Sequence, residues 1–408
     1  MKIYRARIVY PVHEKPFEDG AVAVKGDRIV AVGKVAEVTA NLDWPVEDLG
    51  DVILMPGLIN AHCHLDYTAM RGAILPSSDF AQWIERINAL KRMLTDEDYL
   101  VSIAEGFAEL RQWGCTSVFN IESFPELMVK MPPPPLRTWW FIELLNVRNR
   151  HVTEELVAGA LTFFEDRPDW LGGFGLSPHA PYTASEELYR LTAQCAEKYG
   201  MPVTTHLAET SEEYDMFKVG KGTLYTFLKN LGRPMHDTGK GSPFATLVDH
   251  DVLPRNTICV HMNYIDAADF QRIRDRKLKE VLSVVHCPNC HRYFNRSPFP
   301  LERFLDAGVS VSLGTDSLAS NGELNLFSEM RTLRSAHPPI SCEATIRMVT
   351  AEPAHAIGMK DKLGVLKAGA FADLIAVPTT AETSIHQAAA AIIANEQPIS
   401  WMLLAGQR

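Results

Sequence analysis

The sequence lacks any long apolar run. Its N-terminus, MKIYRARIVYPVHEK, carries charge within the first residues and has no apolar core of the kind a secretory leader needs. The most apolar stretch, residues 388–394 near the C-terminus, is far too short to span a bilayer. No membrane association is therefore expected. Cysteine is sparse and odd in number: seven residues scattered along 408 do not make a disulfide framework, so a reducing, cytoplasmic setting is expected. An excess of positive charge is missing too. Forty Lys and Arg against fifty Asp and Glu leave a net charge of −10, which argues against nucleic acid as the partner. No repeat or low-complexity segment interrupts the chain. What is present, 46% hydrophobic and 22% charged residues, suits an ordinary globular protein with a substantial core.

One stretch tempts a misreading. Residues Cys287 to His291 spell CPNCH, the C-x-x-C-H pattern of covalent haem attachment. That chemistry goes with export, for which the N-terminus gives no support. Cytidine-deaminase-type zinc sites pair P-C-x-x-C with H-x-E, and no H-x-E occurs anywhere in the chain. A thioredoxin-like pair needs a helix N-terminus, whereas β-branched residues here run straight into His286. The expectation is a strand end carrying two small apolar cysteines.

Short apolar runs alternate with amphipathic stretches along most of the sequence. Candidate strands are residues 54–62, 116–121, 137–146, 172–180, 201–209, 256–264, 281–288 and 308–317. Between them lie helical-period segments such as SEELYRLTAQCAEKYG and FPLERFLDAG, each closed by a glycine. Eight buried runs separated by helices predict parallel pairing and a closed α/β barrel of the (β/α)8 TIM type. The PPPP at 132–135 is read as a rigid loop before the third strand. The two ends differ, alternating with a period of two. They predict one small flanking β-sandwich built from residues 1–55 and 361–408, with the barrel spanning 56–360.

Nearly every candidate strand ends in a group that can bind metal or move protons, and in such barrels the carboxyl ends form the active face. The first ends in His62-Cys63-His64, whose alternate residues point to the same side of an extended chain. The fifth ends in His206 with Glu209 beyond it, the sixth in His261, the seventh in His286 and the eighth in Asp316. Each histidine taken alone is an ordinary core residue; their joint placement is not. His62, His64, His206 and Asp316 make a coordination set suited to zinc first and ferrous iron second, with one position open for water. A divalent cation lowers the pKa of such a water to roughly 7. Asp316 then suits the role of proton acceptor, Glu209 that of proton donor to a leaving group, and His261 that of orienting donor.

These motifs, PGLINAHCHLD, TTHLAE, HCP and GTDSLASNGELNLFSEM, resemble the amidohydrolase superfamily over essentially the whole chain. Within it the pattern is similar to the aminohydrolase branch of MTA/SAH deaminases, aminodeoxyfutalosine deaminases and triazine hydrolases. The resemblance implies one metal held by His62, His64, His206 and Asp316. It also implies that Glu209 protonates a ring nitrogen, Asp316 takes a proton from the attacking water, and His261 polarises that water or the oxyanion. Binuclear relatives carry a bridging lysine on strand four; GGFGLSPHA has none, so a mononuclear site is expected.

By the same resemblance His179, in SPHAPYT, and Trp83, in DFAQWIERI, are candidate substrate contacts, and Ser320 and Asn321 match the family's Ser-Asn. Loop capping, a buried helix tryptophan and a helix cap are the respective structural alternatives. The acidic residue that grips ribose in SAH-type enzymes is missing, as is an arginine on strand three. Glu143 and Arg148 are the candidates to shape the pocket in their stead. Cys290 and His291 fall in a loop beside it. The expected activity is hydrolytic deamination of an aminated purine nucleoside or related N-heterocycle, with metal-bound hydroxide attacking the amino-bearing carbon and ammonia leaving. The alternatives are a triazine chlorohydrolase or alkylaminohydrolase, a guanine- or cytosine-type deaminase, and a catalytically silent scaffold. The partner is a small molecule, with homo-oligomerisation left open.

Overall fold

The computed structural model describes residues 1–77, 79–147, 153–165 and 170–408. The chain opens with β1 (Lys2–Val9), β2 (Phe17–Lys25), β3 (Arg28–Lys34), β4 (Val46–Asp48) and β5 (Val52–Pro56). In β2 the period of two is explicit. Ala21 and Ala23 pack with Ile3 and Val38, while Val22 and Val24 pack with Tyr4 and Val9 on the other face.

The barrel strands follow: β6 (Leu58–His64), β7 (Cys115–Glu122), β8 (Arg137–Leu144), β9 (Gly172–Pro178), β10 (Val203–Leu207), β11 (Thr257–His261), β12 (Leu282–His286), β13 (Ser310–Leu313) and β14 (Asp316–Ser317). From β6 to β13 each strand pairs parallel with the next. β14 then pairs back onto β6, with Asp316 opposite Cys63, and this closes the ring. The return of the chain, β15 (Leu374–Pro378) and β16 (Met402–Leu403), completes one seven-stranded sheet with the N-terminal strands. The TIM-type barrel and the flanking sheet from both chain ends are thus as expected.

Two expected strands are split. Residues 54–62 divide at Pro56-Gly57 between the flanking β5 and the barrel β6. Pro56 has no ladder N–H to give, and a Cβ on Gly57 would meet the Thr116 side chain at 2.1 Å. The eighth run breaks at Gly314-Thr315, where the backbone changes neighbours. Gly314 N donates to His286 O (3.0 Å), and Thr315 N donates to His62 O (3.0 Å). A Cβ on Gly314 would lie 2.8 Å from the N, O and Cβ of His62. The bare backbone at this point is what lets the eighth strand approach the first.

Helices cover the barrel in the manner their sequences announce. Glu186–Tyr199 begins where Ser185 accepts from Leu188 N and ends at Gly200 with φ 64°. The two parts are joined by a buried ion pair. Arg137, at the foot of β8, donates from Nε to Asp373 Oδ2 (2.7 Å) and from Nη2 to Oδ1 (3.2 Å), with Phe371 stacked on its guanidinium. Among the described residues no helix is long and apolar enough to cross a membrane.

Candidate active site

Parallel pairing puts the last residues of β6, β10, β11 and β14 on one end of the barrel, and there four histidines and two carboxylates meet. The ligand atoms of His62, His64 and His206 all lie within 4.8 Å of one another, and all three residues are buried. His206 Nδ1 is 3.0 Å from the carbonyl oxygen of His179. A carbonyl only accepts, so Nδ1 carries the proton and Nε2 keeps its lone pair for a ligand. That Nε2 lies 3.3 Å from His64 Nε2.

The residues fit a divalent cation on three counts. Two nitrogens bound tetrahedrally at about 2.05 Å stand about 3.3 Å apart, which is the spacing found. His62 Nε2, the ring nitrogen turned to Asp316 Oδ1, is among the buried ring nitrogens without a hydrogen-bond partner. Such orphans are rare unless something else takes them. Burial also pushes the His62 and His64 imidazoles below their ordinary pKa, which keeps them neutral and able to ligate.

Asp316 divides its two oxygens. Oδ1 faces the imidazoles, 3.5 Å from His62 Nε2 and 3.9 Å from His64 Nε2. Oδ2 accepts from Cys290 Sγ (2.8 Å) and Ser320 Oγ (3.0 Å). Burial alone would raise this carboxyl; the imidazoles of His62, His261 and His64 outweigh it and hold the group well below the usual range. Its backbone has φ 58°, and His261 has φ 75°. Both are left-handed conformations that non-glycine residues seldom adopt. His261 Nε2 lies 3.7 Å from Glu209 Oε1. Glu209 is pinned by its backbone: its N–H donates to Glu213 Oε2 (2.7 Å), and its carbonyl accepts from Asn263 Nδ2 (3.0 Å).

Around this centre the remaining candidates take distinct places. His179 Nε2 is 3.8 Å from Glu143 Oε1, and Ser123 Oγ donates to Glu143 Oε2 (2.9 Å). Burial pushes His179 down to about 4, so it is neutral at pH 7. Burial would raise Glu143, but the charges of His179 (protonated only at more acid pH) and of Lys91 prevail and lower it. Trp83 sits on the helix Phe80–Lys91 between Phe80 and Phe294, its ring nitrogen buried and unpartnered. The Ser320 hydroxyl is engaged by Asp316, and Asn321 Nδ2 donates to Thr315 O and Glu329 Oε1. His286 stands apart, stacked on Phe299 at 3.9 Å. Arg148 lies outside the described residues.

One expectation is corrected. Cys287 occupies the N-cap of the helix Pro288–Tyr293, so the C-x-x-C pair does sit at a helix N-terminus. It is nevertheless no redox pair. Both cysteines are free, and burial pushes both thiols well above their ordinary value, opposite to the activation a redox thiol requires. Two residues escaped the sequence reading. Arg296 donates from Nη2 to Glu209 Oε1 at 2.6 Å. Glu213 cradles the Glu209 backbone; its spacing of one helical turn from Glu209 was the available signal.

With the geometry established, comparison with known proteins places the chain. The Amidohydrolase family pattern matches residues 53–400. The chain belongs to the amidohydrolase family. This is the family, and the hydrolase class, that the motifs led us to expect. Similar curated proteins include a 5-methylthioadenosine/S-adenosylhomocysteine deaminase of Pyrococcus furiosus, 29% identical over 88% of this chain and 83% of that protein. An aminodeoxyfutalosine deaminase of Deinococcus radiodurans is 30% identical over 80% of this chain and 79% of that protein. Among solved structures, an adenosine deaminase of Xanthomonas campestris with bound zinc superposes with TM-score 0.83 at 24% identity, covering 100% of this chain and 92% of that one. That likeness carries the fold.

Proposed function

We propose that this amidohydrolase is a mononuclear, metal-dependent deaminase of an aminated purine nucleoside, of the adenosine, methylthioadenosine or aminodeoxyfutalosine type. The observation that carries the reading is the placement of two proton-handling carboxylates, Asp316 and Glu209, around one cluster of three buried imidazoles. His62, His64, His206 and Asp316 would hold the cation, zinc by the donor set of nitrogens and one carboxylate. When bound, it supplies Lewis acidity and a hydroxide nucleophile at neutral pH.

The protein's own groups do the rest. Asp316, kept ionised, accepts the proton of the attacking water through Oδ1, the oxygen that faces the imidazoles. Glu209 in its acid form gives a proton to the ring nitrogen next to the attacked carbon. The proton held by Asp316 then passes to the amine, which leaves as ammonia, while the added hydroxyl returns its proton to Glu209. His261, 3.7 Å from Glu209, donates toward the oxygen on which charge develops. Glu143 and His179 form one wall at the ends of β8 and β9, where a carboxylate and a neutral imidazole suit sugar hydroxyls and ring nitrogens. Trp83 offers an aromatic face to a heterocycle. The deaminase names of the curated relatives support the reading.

The test is a panel of adenosine, 5′-methylthioadenosine, S-adenosylhomocysteine and aminodeoxyfutalosine offered to the zinc-loaded protein, with ammonia measured. Release from at least one nucleoside is expected. Chloride release from atrazine without ammonia from any nucleoside would transfer the site to triazine chemistry.

A further inference from the structure

Both carboxylates of the proposed reaction are touched by one segment, residues 287–296, which follows β12. Cys290 Sγ lies 2.8 Å from Asp316 Oδ2, and Arg296 Nη2 lies 2.6 Å from Glu209 Oε1. The two contacts reach acidic residues far apart in the chain, one just beyond β10 and one on β14. Cys290 and the Arg296 side chain are almost wholly buried, at 0% and 4% exposure. The segment is itself firmly held. Asn289 N donates to Glu329 Oε2 (2.8 Å), Thr332 Oγ1 donates to Asn289 Oδ1 (2.7 Å), and Tyr293 OH donates to Ile74 O (2.9 Å). A second route to Glu209 runs through Asn263, whose amide oxygen lies 3.2 Å from His291 Nδ1 while its Nδ2 donates to Glu209 O. Phe294 lies under the guanidinium at 4.4 Å and packs against Phe80 and Trp83.

From this geometry we infer that residues 287–296 are a positioning segment for catalysis: Arg296 fixes the Glu209 carboxylate by one oxygen, and Cys290 fixes Asp316 by one oxygen. In Glu209 the other oxygen is left to meet the reacting atoms; in Asp316, whose Oδ2 Ser320 also holds, Oδ1 stays turned to the imidazole cluster. Arg296 is suited to this because a planar guanidinium can hold a carboxylate while its face rests on an aromatic ring; an ammonium cannot do both. The contacts also explain a peculiarity of the sequence. The CPNCH spelling is a helix start that delivers a thiol donor to a buried carboxylate. The inference rests on the proposed deamination and assigns it two positioning residues.

The experiment uses the zinc-loaded protein and whichever nucleoside of the panel it turns over fastest. Arg296→Lys is expected to lower kcat about tenfold to a hundredfold, the range for a misaligned acid, with KM within about twofold and zinc content unchanged. Cys290→Ala should lower kcat about tenfold, and Cys290→Ser, which keeps a hydroxyl donor, should restore most of it. Because Arg296→Met alone leaves a buried charge unpaired and threatens folding, it is measured with Glu209→Gln. Arg296→Met should cost nothing further in that background, since the group it positions is already gone. A wild-type kcat for Arg296→Lys would overturn the inference. So would equal losses in Cys290→Ser and Cys290→Ala, or a further drop in the double variant. If instead the wild type releases no ammonia, or Glu209→Gln is as active as wild type, the proposed reaction itself falls.

Discussion

Removing the cation should destabilise the whole barrel. His62 Nε2, turned to the cluster, is buried without a hydrogen-bond partner, and such a group left unsatisfied costs about 1–3 kcal/mol. A cation that binds only the folded chain, at a concentration a thousandfold above its Kd, adds about 4 kcal/mol. Unfolding entropy of about 2.1 cal/mol/K per residue over 408 residues comes to about 0.9 kcal/mol/K. The expected gap in melting temperature is therefore about 5 °C. The assay is calorimetry on chelator-dialysed protein before and after addition of one equivalent of zinc, with magnesium as control. Identical melting within about a degree would mean that the three imidazoles do not converge on a metal, and the reasoning from the orphaned His62 nitrogen would fail.

Other consequences follow from single contacts. Gly314→Ala should shift His62, because the added methyl would stand 2.8 Å from its backbone. Zinc affinity should drop about tenfold or more, as read by competition with a chromogenic chelator. Asp373→Asn strands the Arg137 guanidinium between barrel and flanking sheet, and should cost about 3–5 kcal/mol in denaturant titration. The Glu329 carboxyl is pushed up to about 8 by burial, although Asn289 and Asn321 donate to it. Its folded pKa exceeds its unfolded value, so its stabilising share is complete below about 4.5 and is lost as pH rises toward 8. Stability should fall by up to about 1.4 kcal/mol per pH unit across that window, and Glu329→Gln should flatten the fall in a pH series of melts.

The architecture was readable because it is written in local signals. Alternation of buried runs with glycine-closed helices announced the barrel, and residues ending those runs, His62, His64, His206, His261 and Asp316, were visible as a set. The strand breaks were harder. Pro56-Gly57 and Gly314-Thr315 look like interior strand residues until the crowding by Thr116 and His62 is seen. Arg296 left no trace in sequence, since its partner Glu209 is 87 positions away and only the fold joins them. The helix at Pro288–Tyr293 was missed for a related reason. Six residues are too few for a period to show, and the β-branched run before them dominates the pattern. His286 misled in the opposite sense: it ends a strand like the others, yet its ring turns to Phe299.

The most direct measurement is an anomalous diffraction map at the zinc edge from crystals of the zinc-loaded protein. A single strong peak about 2.0–2.1 Å from one nitrogen each of His62, His64 and His206, with Asp316 Oδ1 beside it, is the expected result. No peak among those imidazoles, or a peak held elsewhere with the three rings turned apart, would contradict the account.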